Sequence, residues 1–203
     1  MNAVPLETLF LLYLAHFLGD YPFQTNWVFA HKIKNCWRGG LLHTFGIFLA
    51  LLLTLAPFLD ATPIWYVIGI VTVVHYFQDA IKVSIDTQHH HYKKLSYIGD
   101  QVLHLSLLTF LWVFFLKGTE LSPAFGTGFF SNEFIILFCL GLVLVTFFLD
   151  VTIGVFKHKI VEDLLSFGKP FQRNHKFMLK NAIIYSILWA IGAWIFNITA
   201  ITF

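Results

Sequence analysis

Charge is what this chain most lacks. Its 203 residues include 13 Lys and Arg and 11 Asp and Glu, together 12%, about half the share of a soluble globular domain. Cysteine is nearly absent too. Cys36 and Cys139 are the only two, too few for a disulfide framework. The topology derived below puts Cys36 in a loop and Cys139 in the outer half of a membrane helix, so they are not expected to pair. A formal net charge of +2 is too small for a nucleic-acid binder, which needs a strongly basic surface. No basic region precedes the apolar stretch from Leu6, and no small-residue cleavage site follows it. It therefore reads as a retained span, not a signal peptide.

Apolar side chains fill the space. Hydrophobic residues make up 58% of the chain, and 24 residues are phenylalanine. A soluble protein of this length has too little interior to hide that surface. The composition predicts an all-α, polytopic membrane protein, one integral membrane domain over 1–203. Six segments are apolar over roughly the 20 residues a span needs: 6–21, 41–58, 64–82, 98–116, 133–156 and 178–200. The first has the composition to continue past Pro22 as a tilted or kinked helix through Phe29, because neighbouring helices can satisfy freed backbone groups.

The loops suggest an orientation. Lys32, Lys34 and Arg38 lie in 23–40, and Lys82, Lys93 and Lys94 in 82–97. Lys157, Lys159, Lys169, Arg173, Lys176 and Lys180 lie in 157–180. Twelve of the thirteen Lys and Arg thus fall on one side, leaving Lys117 on the other. The positive-inside rule makes those loops cytoplasmic and both termini external.

A pattern repeats within the first four segments. The first reads AHFLGD, with His16 and Asp20, and the third VHYFQD, with His75 and Asp79. The second opens GLLHTF, with His43, and the fourth QVLHLS, with His104. Residues 6–58 and 64–116 are therefore expected to form two tandem helical hairpins in one orientation, with 133–200 as a C-terminal helix pair. One position breaks the match: Asp100 precedes His104 by four residues, whereas Gly39 stands in the corresponding place before His43.

Residues four apart share a helix face, so His16 with Asp20, His75 with Asp79, and Asp100 with His104 each point one way. Alternating chain direction puts all three pairs and His43 at one depth, in the cytoplasmic third. Asp150, late in the fifth segment, is a candidate eighth member. Each charge in a bilayer costs at least ~2.5 kcal/mol, so these groups are expected to face one another, a cavity or a cation. Their donors suit a divalent metal: zinc first, manganese or iron as alternatives. The bland alternative is that each pair clamps helices, with Asp79 pairing to Lys82 one turn on. Gln24, Thr25 and Asn26 could form a polar lip, and Gln78 and Gln101 could orient a ligand histidine. Lys169, Arg173 and His175 could clamp a phosphate. The run His89-His90-His91 reads as a solvated loop.

The strings HFLGDYPFQT, HYFQDAIKV and DQVLH resemble an uncharacterised bacterial membrane-protein family, domain-of-unknown-function family 3307. The likeness covers about residues 10–110 and rests on His16, Asp20, Gln24, His75, Asp79, Asp100, Gln101 and His104. It implies a bacterial inner-membrane location and no particular activity. The H-x-x-x-D pairs are also similar to those of small membrane-bound metal-dependent hydrolases and, through them, of the all-helical zinc phospholipase C group, where such pairs supply metal ligands. The order in the fourth segment, Asp100 before His104, departs from that motif.

Three functions compete. The first is a metal-dependent hydrolase of a lipid-linked phosphoester, with membrane lipid as its partner and no nucleic acid. Metal ligands would come from His16, Asp20, His43, His75, Asp79, Asp100 and His104. Asp100 and His104 would be the catalytic residues, Asp100 as general base. The second is an ion- or proton-coupled transporter, for which tandem repeats and His/Asp chains are common parts. The third is a structural or regulatory membrane subunit.

Overall fold

The computed structural model describes residues 6–34, 36–89, 92–119, 121, 124–125, 127–130, 132–157 and 173–201, and among them there is no strand. The first helix, α1 (Leu6–Asp20), is leucine-rich on every side. Such a helix has no face suited to water, and it is the inner element. Thr8, Leu9, Leu11, Leu12, Leu14, Ala15, His16, Phe17 and Gly19 are all buried.

Helix α1 does not continue through Pro22. Proline has no N–H to donate and disfavours a helical conformation at the preceding Tyr21. Tyr21 N–H still bonds Phe17 O at 3.1 Å, and Phe23 N–H reaches back to Leu18 O at 2.9 Å. Thr25 then caps a separate helix, α2 (Asn26–Lys34), its hydroxyl accepting from Val28 N–H at 3.3 Å. The expected kinked extension through Phe29 is thus a full break and a fresh start.

One residue later α3 (Cys36–Thr54) begins. Helix α2 lies hard against it at Gly39, where an added Cβ would run into the backbone of His31 and Lys32. Close approach of the same kind occurs at Gly19, whose missing Cβ leaves room for Ile47 of α3. A short 3-10 turn (Ala56–Phe58) leads to α4 (Thr62–Gln88), which has proline in its first turn and runs unbroken for 27 residues.

Helix α5 (Lys93–Leu111) continues as a π-helical turn over Trp112–Leu116. A single turn, α6 (Thr127–Phe130), precedes α7 (Glu133–Val143), which Asn132 caps. A second π-helical turn (Leu144–Phe148) joins α7 to α8 (Leu149–Phe156). The last helix is α9 (His175–Ile201).

Helix α1 packs against α3, α5 and α7; α3 packs on α4, and α4 on α5. The main core is made by Leu11, Leu12, Ile47, Leu51, Leu55, Ile64, Ile68, Leu108 and Leu111 with their neighbours. A smaller cluster joins Leu14, Phe17 and Tyr21 to Leu140 and Val143. Helix α9 rests on α7 and the second π turn and exposes Leu179, Ile183, Ile187, Leu188 and Trp194, the surface expected of a lipid-facing helix.

Among the described residues, five helical stretches are long and apolar enough to cross a membrane: Trp37–Thr54, Thr62–Gln88, Lys94–Leu116, Glu133–Phe156 and His175–Ile195. Six were expected. The first, α1, has 15 residues and is about 22 Å long, short of the ~30 Å hydrocarbon layer.

Candidate functional site

The i, i+4 spacing does locally what helical geometry requires. His16 and Asp20 stand one turn apart near the end of α1, and His75 and Asp79 do so on α4. His43 lies near the start of α3, and Asp100 and His104 near the start of α5. Packing then brings these ends together. All seven side chains meet at one end of the α1–α3–α4–α5 group. His16, His43, His75 and His104 are each 3% exposed or less, and Asp79 and Asp100 are 4% and 8% exposed.

At the centre His43 Nε2 and His75 Nε2 are 3.0 Å apart. Asp20 Oδ1 lies 3.3 Å from the first and 3.4 Å from the second. Asp79 Oδ2 lies 3.1 Å and 3.3 Å from the same two nitrogens. The two histidines are therefore a shared edge of two triangles, one closed by each aspartate. Donors held about 2.0–2.2 Å from a tetrahedral cation are about 3.3 Å apart, so these edges have the length a metal site needs. His16 Nε2 stands 3.6 Å from Asp20 Oδ2. Its ring stacks on His104 at 4.9 Å between centroids, and His104 lies 4.3 Å from His75.

Three overlapping groups could hold a metal ion: His16, Asp20 and His75; His43, His75 and Asp79; and Asp79, Asp100 and His104. Buried atoms left over by the protein's own hydrogen bonds support that fit. His104 Nδ1 lies 2.8 Å from the Asp100 carbonyl oxygen, to which it donates. That leaves Nε2 as the bare lone pair, and it has no hydrogen-bond partner. Fixing the far ring nitrogen on a carbonyl is how proteins present an imidazole to a metal. His16 Nε2 and Asp100 Oδ1 are likewise buried without a hydrogen bond. The Nδ1 atoms of His43 and His75 also find no partner, so packing and the Nε2 contacts hold those rings.

Lys32 completes the centre. The sequence offered it only as one of the basic residues that orient the chain. It is 8% exposed, and its Nζ is 2.6 Å from Asp79 Oδ2. Asp79 therefore does not pair with Lys82, which bonds Asp86 at 2.8 Å instead. A faint signal existed: Lys32 lies between a proline-broken helix and Gly39, where a tight helix corner could turn it inward. A recess lined by Lys32, Gly40, Tyr76, Asp79, Ala80 and Val83 opens beside the pair.

Other expected members are placed differently. Gln101 bonds the Asp100 carboxylate at 3.2 Å rather than a histidine. Thr25 caps α2 and so is not a free polar lip, while the main-chain carbonyl of Gln24 accepts from Arg173. The side chain of Asn26 lies outside the described residues. Asp150 is buried away from the triads, with Arg173, Asn174 and His175 as its polar neighbours. One guanidinium nitrogen of Arg173, Nη2, donates to two carbonyls, Tyr21 O at 2.5 Å and Gln24 O at 3.1 Å. Lys169, another member of the expected phosphate clamp, and His90 and His91 lie outside the described residues. Cys139 is a free thiol.

These features define a class: a helical protein with the spans of a membrane protein and a buried His/Asp centre able to take a metal ion. The chain belongs to a particular family within it. Residues 8–127 match the family described as proteins of unknown function, DUF3307. The matched region contains every residue of the centre, Lys32 included. No curated protein and no solved structure matches the chain.

Proposed function

We propose that this protein is an integral membrane hydrolase, metal-dependent and acting on a lipid-linked phosphoester. The single observation that carries the reading is the overlap of the donor groups, in which His75 and Asp79 each belong to two triads. His75 and Asp79, as shared ligands, would suit a pair of divalent ions, whose chemistry is suited to a phosphoryl group. Zinc is the first candidate because imidazole and carboxylate suit it, with manganese or iron as alternatives. Such a centre, when loaded, supplies Lewis acidity to activate water and polarise a phosphoryl oxygen.

The chain's own residues do the rest. Asp100, bonded by Gln101 and with Oδ1 free of hydrogen bonds but 3.5 Å from His104 Nδ1, takes up a proton as general base. His104, fixed through Nδ1, holds its other nitrogen inward. The basic loops flanking this end favour a cytoplasmic orientation, in a bacterial inner membrane with both termini outside if α1 also crosses. The two H-x-x-x-D hairpins are read as a duplicated unit.

A transporter would need a polar route through the other half of the bundle. Among the described residues that half is filled by Leu11, Leu12, Leu51, Leu55, Ile64 and Ile68. This favours hydrolysis over translocation. Elemental analysis of purified wild type and of the His75→Ala/Asp79→Ala double variant tests the centre. We expect stoichiometric transition metal in the first and its loss in the second. Equal metal content in both, with an unchanged fold, would remove the metal-dependent reading. Headgroup or phosphate release from phospholipid and polyprenyl-phosphate vesicles then tests the reaction. Metal uptake into proteoliposomes without any hydrolysis would transfer the assignment to transport.

A further inference from the structure

The shortest charged contact in the centre is made by a residue outside the ligand pattern. Asp79 Oδ2 forms an ion pair with the Lys32 ammonium at 2.6 Å. The same oxygen closes the triangle with His43 Nε2 and His75 Nε2. One carboxylate oxygen is thus claimed by a fixed cation and by a donor set of metal-ligand dimensions. A divalent ion seated on that triangle would stand about 2 Å from Oδ2. The ammonium would then face it across the oxygen, inside a poorly solvated interior where like charges repel strongly.

The way Lys32 reaches Asp79 matters as much as the contact. It comes from α2, a nine-residue helix held against α3 at Gly39, and not from any helix that carries a ligand. The recess lined by Lys32, Gly40, Tyr76 and Asp79 is too narrow to hold a water, so an ammonium leaving Asp79 has to swing outward past its mouth. Lysine is long and flexible enough to make that move, its ammonium being a point charge on a four-carbon stem.

We infer that Lys32 and a divalent cation are alternative partners of Asp79: the metal enters the His43–His75–Asp79 triangle by displacing the Lys32 ammonium outward from the centre. Lys32 thereby sets the threshold at which the centre loads. This rests on the metal-centre reading above and adds to it a residue that controls occupancy.

Two measurements on the purified protein in detergent test it, with zinc as the probe. The first is zinc affinity by competition with a chromophoric chelator. Lys32→Met should bind zinc on the order of tenfold more tightly than wild type, because a competing ion pair has been removed. Lys32→Arg, which keeps the charge, should not. The second uses wild type alone and so does not depend on the variant folding. A water-soluble amine-reactive ester, read out by mass spectrometry, should modify Lys32 several-fold faster with zinc than without it. The exposed Lys117 serves as internal standard. Equal zinc affinity in wild type and Lys32→Met, with Lys32 labelling unmoved by zinc, overturns the displacement while leaving the metal centre standing. Failure of zinc to bind either protein overturns both.

Discussion

Helix α4 and the segment α1–α2 start from the same H-x-x-x-D pattern and end differently. Helix α4 carries His75 and Asp79 and runs on unbroken to Gln88. Its own next cation, Lys82, turns to Asp86. Helix α1 carries His16 and Asp20 and stops there, and the chain resumes as α2 across the turn at Pro22. The break costs a stretch of regular helix, but it frees nine residues to fold back on α3 and deliver Lys32 to Asp79. The counter-cation for the α4 aspartate therefore comes from the other segment. A repeated motif supplies similar ligands twice; the departure from repetition supplies what makes the two halves chemically unequal.

That contrast can be broken at Gly39. An alanine there would press into the backbone of His31 and Lys32, and overpacking against backbone costs about 1–3 kcal/mol. Thermal unfolding of Gly39→Ala should show a loss in that range. Lys32 should label with the amine-reactive ester even without zinc. A variant that keeps both wild-type stability and Lys32 protection would show that α2 is not held by this contact.

A smaller effect is expected at Arg173, which stands outside both segments and bonds the turn between α1 and α2. Its guanidinium donates to Tyr21 O and Gln24 O and lies over the Phe147 ring at 5.3 Å. Arg173→Met removes two charge-assisted bonds to the turn, a loss of about 2 kcal/mol. Hydrogen exchange confined to residues 21–25 should speed up with it. Exchange that stays slow there would mean that the turn is self-supporting.

The smallest effect sharpens the comparison rather than breaking it. Pro22→Ala restores a backbone donor where the helix stops. If proline alone enforced the break, α1 and α2 would fuse and Lys32 would lose Asp79. Thr25 and Arg173 still bond the turn, so stability is expected to change by less than about 1 kcal/mol. Lys32 labelling should not change. Added helicity by circular dichroism together with a labelled Lys32 would assign the break to the proline.

The meeting of the seven His and Asp was legible because helical spacing is a local property. His16 with Asp20 and His75 with Asp79 face one way whatever surrounds them, and burying so many ionisable groups has a sensible outcome only if they meet. The first segment, 6–21, matches α1 closely, but the continuation past Pro22 does not occur. Its apolar run looked like a span, whereas proline chemistry and the turn after it decide where the helix ends. Asp150 looked like an eighth member because depth was readable and rotation about the α8 axis was not. Lys32 looked like a loop charge because nothing in its neighbourhood names a partner on α4.

From the sequence alone came the membrane class and the seven His and Asp residues of the centre, since hydropathy and i, i+4 geometry need only nearby residues. Tertiary structure decided which acid pairs with which base. It turned α2 inward at Gly39, gave Asp79 to Lys32 instead of Lys82, and sent Asp150 elsewhere. Such choices depend on helix rotation and close backbone approach, which are fixed only when distant segments pack together.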